Sequence, residues 1–147
     1  MTEIFKLNLD LKRSIPFILD ALIEIGVGVV ILFSKPTEMT IQYIGIGLIT
    51  VGIVQFVRKL KTFHLSQSEL TIKRPLFPFK IAESTFTLDK IQKIKFNNIK
   101  GRFGGPHLNV ISKERNGDFR IEAKTEKIDE FENELNKLGI VTERIGM

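Results

Sequence analysis

Two carboxylates sit where an ionised group is least welcome. Asp20 and Glu24 lie four residues apart inside SIPFILDALIEIGVGVVILF, an otherwise apolar run ending at Phe33. On a helix, positions i and i+4 stack on one face. Counted from Arg13, Glu24 lies about 16 Å along the axis, close to mid-bilayer for an upright span. A charge at that depth is costly, and two adjacent carboxylates repel, so at least one is expected to hold a proton. Such a pair can carry a proton or a cation. It can also be plain structure, bonded to a hydroxyl on a facing helix, to backbone carbonyls or to a second copy. Antiparallel pairing counted back from Arg58 sets Val51 opposite Asp20 and Gly47 opposite Glu24, and brings Thr50 within reach of either.

A second group is basic. Lys73, Arg74 and Lys80 flank Leu76, Phe77 and Phe79, and Lys90, Lys93, Lys95, Lys100 and Arg102 follow. Bases beside exposed aromatics just below a bilayer would be drawn to anionic headgroups at roughly 1 kcal/mol per well-placed charge. The plain alternative is a solvated strand face with phenylalanines covering a core. The pI of 9.5 also admits nucleic acid, but no RNA-binding signature accompanies it and none is expected as a partner.

Other chemistry finds little footing. His64 and His107 are the only histidines and no carboxylates stand at metal-ligand spacing from them, so no metal site is expected. NNIKGRFGGPHLNV has three glycines but neither a P-loop nor a dinucleotide pattern; positive φ at Gly104–Gly105 explains them more simply. No nucleophile motif is present, so neither an enzyme nor a cofactor is expected. The chain has no cysteine, which excludes disulfides, thiolate metal sites and palmitoylation.

These residues must be held by elements of two kinds. The 147-residue chain carries a net charge of +5, unevenly spread. From Arg58 to Lys113 twelve bases face three acids, a surplus of nine; from Glu114 onward six face nine, a deficit of three. Apolar residues crowd into 15–33 and 41–57. Two helices of near-spanning length, about 14–33 and 40–58, joined by the short link SKPTEMT, read as a transmembrane hairpin within 14–60. Pro16 is expected in the first turn of one helix and Thr40 as the N-cap of the other. Lys6, Lys12 and Arg13 before the first run, and Arg58, Lys59 and Lys61 after the second, place both ends in the cytoplasm and the link outside. Residues 1–13 are then a cytoplasmic segment and 61–147 a cytosolic domain.

Beyond Lys61 the period becomes strand-like. TFHLS and ELTIKR pair around Gln67–Ser68; STFTL and IQKIKFN are joined through Asp89–Lys90. HLNVISKERNGDFRIEA predicts a hairpin with a two-residue turn at Asn116–Gly117 and Arg115 opposite Asp118. That register sets Leu108, Val110 and Ser112 on one face with Phe119, Ile121 and Ala123. TEKIDEFENELNKLG predicts an amphipathic helix with Thr125 as N-cap, Ile128, Phe131, Leu135 and Leu138 on its apolar face, and Gly139 at its end.

This order, with LDKIQKI at Leu88–Ile94 and then GRFGGPHLNVI, resembles the bacterial pleckstrin-homology-like domains that follow a transmembrane hairpin. The resemblance spans roughly 60–138. It implies an α+β membrane protein: a two-helix hairpin, then a partly open antiparallel β-barrel with a C-terminal capping helix. It implies no catalytic residue. The expected function is a membrane-anchored binding or scaffold module at the inner face of the cell membrane, recognising anionic lipid headgroups or a protein partner, with self-association open. The other expectation is a subunit of an oligomeric transporter or channel using Asp20, Glu24 and Thr50.

Overall fold

The computed structural model describes residues 3–34, 37–75, 83–99 and 105–146. The chain is α+β and divides into two compact units: residues 11–60, and residues 1–10 together with 61–147.

The helical unit is α1 (Leu11–Ser34) and α2 (Met39–Lys59). Both are long and apolar enough to cross a membrane. Glycine decides how closely they pack. A Cβ on Gly28 would lie 2.7 Å from the Gly45 carbonyl oxygen, and one on Gly52 would lie 2.7 Å from Ile25 and 3.0 Å from the Ala21 carbonyl. Gly28 against Gly45 and Gly52 against Ala21 fix an antiparallel crossing, shifted by two residues from the register counted from the flanking charges. Only 17% and 11% of the two apolar stretches are buried. These helices are therefore not the covered core of this unit.

Two helix starts differ from expectation. α1 begins three residues early, so Pro16 falls inside the helix, where its missing N–H removes one bond of the ladder. α2 begins at Met39, making Thr40 its second residue. Glu38 precedes it, and the Glu38 carbonyl accepts from Ile41 and Gln42 N–H at 3.1 Å each.

The β-rich unit opens with β1 (Glu3–Leu7), a strand the sequence reading set aside as a separate N-terminal segment. After the helical hairpin come β2 (Thr62–Ser66), β3 (Glu69–Lys73) and β4 (Ser84–Thr87), and these four form one antiparallel sheet in that order. β1 pairs directly with β2, Leu7 opposite Phe63. A 3-10 turn at Leu88–Lys90 leads into β5 (Ile91–Ile99), followed by β6 (Gly105–Ser112), β7 (Gly117–Arg120), α3 (Thr125–Lys137) and β8 (Thr142–Ile145). The second sheet runs β7-β6-β5-β8, with β8 parallel to β5. Where a partly open antiparallel barrel was expected, the strands form two four-stranded sheets, one antiparallel and one mixed, neither closed.

Alternation fills the core. Phe63 and Leu65 on β2, Leu70 and Ile72 on β3, and Ile94 and Phe96 on β5 are buried while their neighbours are not. α3 closes over them with Ile128, Phe131 and Leu135, and the Phe131 ring meets Phe5 at 5.8 Å, Phe63 at 6.3 Å and Phe96 at 6.4 Å between centroids. Gly139 ends the helix at φ +79, with its N–H on the Asn136 carbonyl. Thr125 is the first helical residue, after Lys124, rather than the cap.

The β6–β7 hairpin corrects one register. Val110 pairs with Gly117 and Leu108 with Phe119; Ile111 and Ser112 stay in β6 against β5, and residues 113–116 make the connection in place of a two-residue turn. Gly117 lacks positive φ, which a type I′ turn requires. It is glycine because a Cβ there would lie 2.6 Å from Phe119 Cζ and 2.9 Å from Phe86 Cζ. The slip is even, so the faces survive: Leu108, Val110, Phe119, Ile121 and Ala123 are all buried.

Candidate functional site

In the helical unit, Gln55 Nε2 on α2 donates to Glu24 Oε1 on α1 at 3.1 Å. Glu24 Oε2 has no accessible surface and no hydrogen-bond partner. Thr50 does not meet the carboxylates, because its hydroxyl donates to the Ile46 carbonyl one turn back at 2.8 Å. Asp20 makes no hydrogen bond or ion pair among the described residues. Thr50 lies on the exposed side of α2, turned from the contact that Gly45 and Gly52 mark, whereas Gln55 flanks that contact and reaches Glu24.

In the β-rich unit, carboxylates meet several of the predicted bases. Lys93 and Lys95 on β5 both face Glu143 on β8, Lys93 in a close pair and Lys95 at 3.7 Å. The hydrogen bond from Lys93 holds the Glu143 carboxyl below the usual glutamate range, against a smaller opposing effect of burial. Lys73 pairs with Glu83 at 3.7 Å, and Arg74 follows β3 half-buried. Lys90 donates to Glu114 at 2.6 Å, which raises the lysine and lowers the glutamate pKa. Phe77, Phe79, Lys80, Lys100 and Arg102 lie outside the described residues.

Parallel pairing of β8 with β5 is what delivers Glu143 to the lysines, since Lys95 and Glu143 are register partners. β8 is itself held to α3 by Arg144, which pairs with Asp129 at 2.5 Å and with Glu132.

Matching against family models, curated proteins and solved structures finds no similar protein. The site is therefore read from its own geometry.

Three arrangements were not foreseen. Arg115 donates to the Thr85 carbonyl at 2.7 Å and lies 4.8 Å over the Phe86 ring, whose edge meets Phe119 at 5.9 Å. These contacts join β4 and β7, the edge strands of the two sheets, where no backbone ladder runs. Lys61 Nζ stands 5.6 Å over the same Phe119 ring, and the Asp10 N–H donates to the Glu122 carbonyl. The residues just before α1 and just after α2 are thus both fastened to β7 and the turn beyond it.

The outer face of the first sheet carries the third. Lys6, His64, Thr71 and Thr85 form one row across its four strands. His64 Nδ1 lies 3.2 Å from Glu3 Oε2, and His64 Nε2 lies 3.2 Å from Thr62 Oγ1. Carboxylate, imidazole and hydroxyl in that order resemble a nucleophile relay. However, β2 is an inner strand paired on both sides, with β1 and with β3, and the hydroxyl and imidazole lie along that ladder. His107 lies in the other sheet, 3.2 Å from Asp118. Among the described residues no three His, Asp or Glu side chains gather as a metal site would need.

Proposed function

We propose that this chain is a two-span membrane protein whose β-rich unit, of pleckstrin-homology-like type, works at the cytoplasmic face as a binding module for anionic lipid headgroups. One observation carries the membrane reading. Two helices of spanning length leave most of their apolar surface uncovered, including Leu19, Leu22, Val30 and Phe33 on α1 and Tyr43, Ile44 and Ile53 on α2. Exposed apolar area of that extent in water would drive association, whereas hydrocarbon satisfies it. The flanking bases Lys12, Arg13 and Lys61 favour cytoplasmic ends, and β1 and β2, which bracket the hairpin, belong to one sheet on one side.

For the headgroup, the reading rests on Lys73 and Arg74 together with Phe77, Phe79 and Lys80, which follow them in sequence. Lys93 and Lys95 contribute less, because Glu143 neutralises part of their charge. The carboxylates of α1 are assigned a structural role.

Topology is tested with single cysteines at Thr37 and Asn116, labelled by an impermeant thiol reagent before and after lysis. Labelling of position 37 from outside and of position 116 only after lysis is expected. A chain recovered in the soluble fraction, shielded at both positions until lysis, would sink the membrane reading. For the ligand, full-length protein carrying Lys73→Ala and Arg74→Ala is compared with the parent, in nanodiscs, for capture of anionic and neutral vesicles. Equal capture of both vesicle types by the parent would point to a protein partner instead.

A further inference from the structure

We propose that a cavity on the outer face of the first sheet binds an amine-bearing phosphate ester, its ammonium between Glu3 and Glu69 and its phosphate at Lys73. The inference rests on the headgroup reading above for the phosphate and adds the amine. Burial alternates along β2 and β3, so Phe63, Leu65, Leu70 and Ile72 fill the core. The intervening side chains share the outer face. There a cavity of about 170 Å³ is lined by Glu3, His64, Ser66, Glu69, Thr71 and Lys73. A cavity of roughly 150 Å³ takes a benzene ring, so the ligand is small, about six to eight non-hydrogen atoms.

Strand register gives the cavity two ends of opposite charge. At one end Ser66 is paired with Glu3 on β1 and hydrogen-bonded to the Glu69 backbone on β3. Two carboxylates thus flank one strand, their Cα atoms about 10 Å apart. Glu3 Oε2 lies 3.2 Å from His64 Nδ1. The Glu69 carboxylate has no hydrogen bond or ion pair among the described residues, and the Thr71 hydroxyl has none either. At the other end is Lys73, four residues along β3 and about 13 Å from Glu69 between Cα atoms. Its Nζ stands 3.7 Å from Glu83, beyond hydrogen-bond reach, which leaves its N–H donors open to a ligand. Acid, hydroxyl and base therefore follow one another on the same face of one strand.

That order selects the ligand. A bare metal ion needs converging donors, and among the described residues no three His, Asp or Glu side chains gather. A simple anion would use Lys73 and be repelled by Glu3 and Glu69, while a simple amine would use the acidic end alone. An ammonium a few bonds from a phosphate satisfies both ends. Its N–H groups donate to the carboxylates, and its phosphate oxygens accept from Lys73 and the Thr71 hydroxyl. Phosphoethanolamine, free or as a lipid headgroup, has that chemistry at that size.

The test uses the full chain in a neutral glycoside detergent, which brings neither amine nor phosphate. It is titrated with phosphoethanolamine, ethanolamine and inorganic phosphate by ligand-observed NMR. Phosphoethanolamine is expected to bind about tenfold tighter than either half, because each end adds charge-assisted hydrogen bonds. Glu69→Gln and Lys73→Ala, with thermal melts matching the parent, should each weaken it about tenfold, while Glu69→Gln leaves inorganic phosphate no weaker. Inorganic phosphate binding as tightly as the ester, or a Glu69→Gln chain that binds the ester like the parent, overturns the proposal and leaves the headgroup reading standing. Silence from all three probes overturns it too; if capture of anionic and neutral vesicles is also equal, the headgroup reading falls with it. Phosphatidylcholine vesicles with and without phosphatidylethanolamine separate the sources. Capture raised by that lipid and competed by the free ester supports a headgroup in the site, whereas free ester bound with unchanged capture supports a soluble ester there.

Discussion

Gln55 reaches across the α1–α2 crossing to hold one oxygen of Glu24 at 3.1 Å. Gln55→Leu removes that donor and leaves the carboxyl without a partner in its own hairpin. The variant is expected to lose about 1 kcal/mol of helix–helix stability, read by unfolding in bicelles.

The glycines of the hairpin are predicted to divide into two classes. Gly28→Val drives a side chain into the Gly45 carbonyl and Ile49 and should cost about 1–3 kcal/mol as overpacking. Gly26→Ala meets nothing within 4 Å and should be neutral or slightly stabilising. The same bicelle measurement distinguishes them.

In the β-rich unit, Gly117→Ala should destabilise by about 1–3 kcal/mol, because the new methyl group collides with Phe119 and Phe86. Asn116→Gly next to it should cost less, about 1 kcal/mol, the loss of one exposed hydrogen bond that the Asn116 amide oxygen accepts from the Ser112 N–H at 3.3 Å. Thermal melts of the full chain in detergent test both. A loss at Asn116 equal to that at Gly117 would restore the two-residue turn.

Acid should loosen β8 first. Glu143 titrates lower in the folded chain than a free glutamate, because Lys93 and then Lys95 favour its charged form. The stability it lends is therefore fully present above the ordinary glutamate pKa and is lost as pH falls through the depressed folded value. Glu143→Gln should abolish that part of the acid dependence. Amide exchange at Ile94, whose N–H is held by the Val141 carbonyl, reports it.

β1 should be indispensable to the unit it joins. Leu7 is 1% exposed and Phe5 packs on Phe131. A fragment of 61–147 alone is expected to aggregate, while residues 1–10 joined to residue 61 by a short flexible linker should give a soluble, cooperatively folding domain. Leu7→Ala in that fusion should cost about 2–5 kcal/mol. A well-folded 61–147 fragment would contradict this.

What was legible followed from local pattern. β2, β3, β4 and β5 alternate within their own residues, and the buried faces of β6 and β7 were readable even though their register was not. β1 and β8 escaped for a shared reason. EIFKL and TERI are short, half charged and stabilised by partners far along the chain, β2 for the first and β5 for the second. Without β8, Lys93 and Lys95 looked like an open basic surface. The partner of Glu24 was not legible because depth along a helix says nothing of face: Thr50 is level with Glu24 but on the exposed side of α2, and Gln55 is the residue beside the crossing.

Leu7 and Phe63 are neighbours in one sheet, yet the whole helical hairpin is synthesised between them. At ordinary translation speed β1 waits several seconds for β2. On the proposed topology, the sheet can close only after the second helix has returned to the side on which the first began. A chain with one helix left uninserted, or with a reversed end, would strand β1 and leave Phe63 and Leu65 uncovered on their edge. On that topology, pairing of Leu7 with Phe63 requires an even number of crossings, so a failed insertion is expected to show as an unpaired β1.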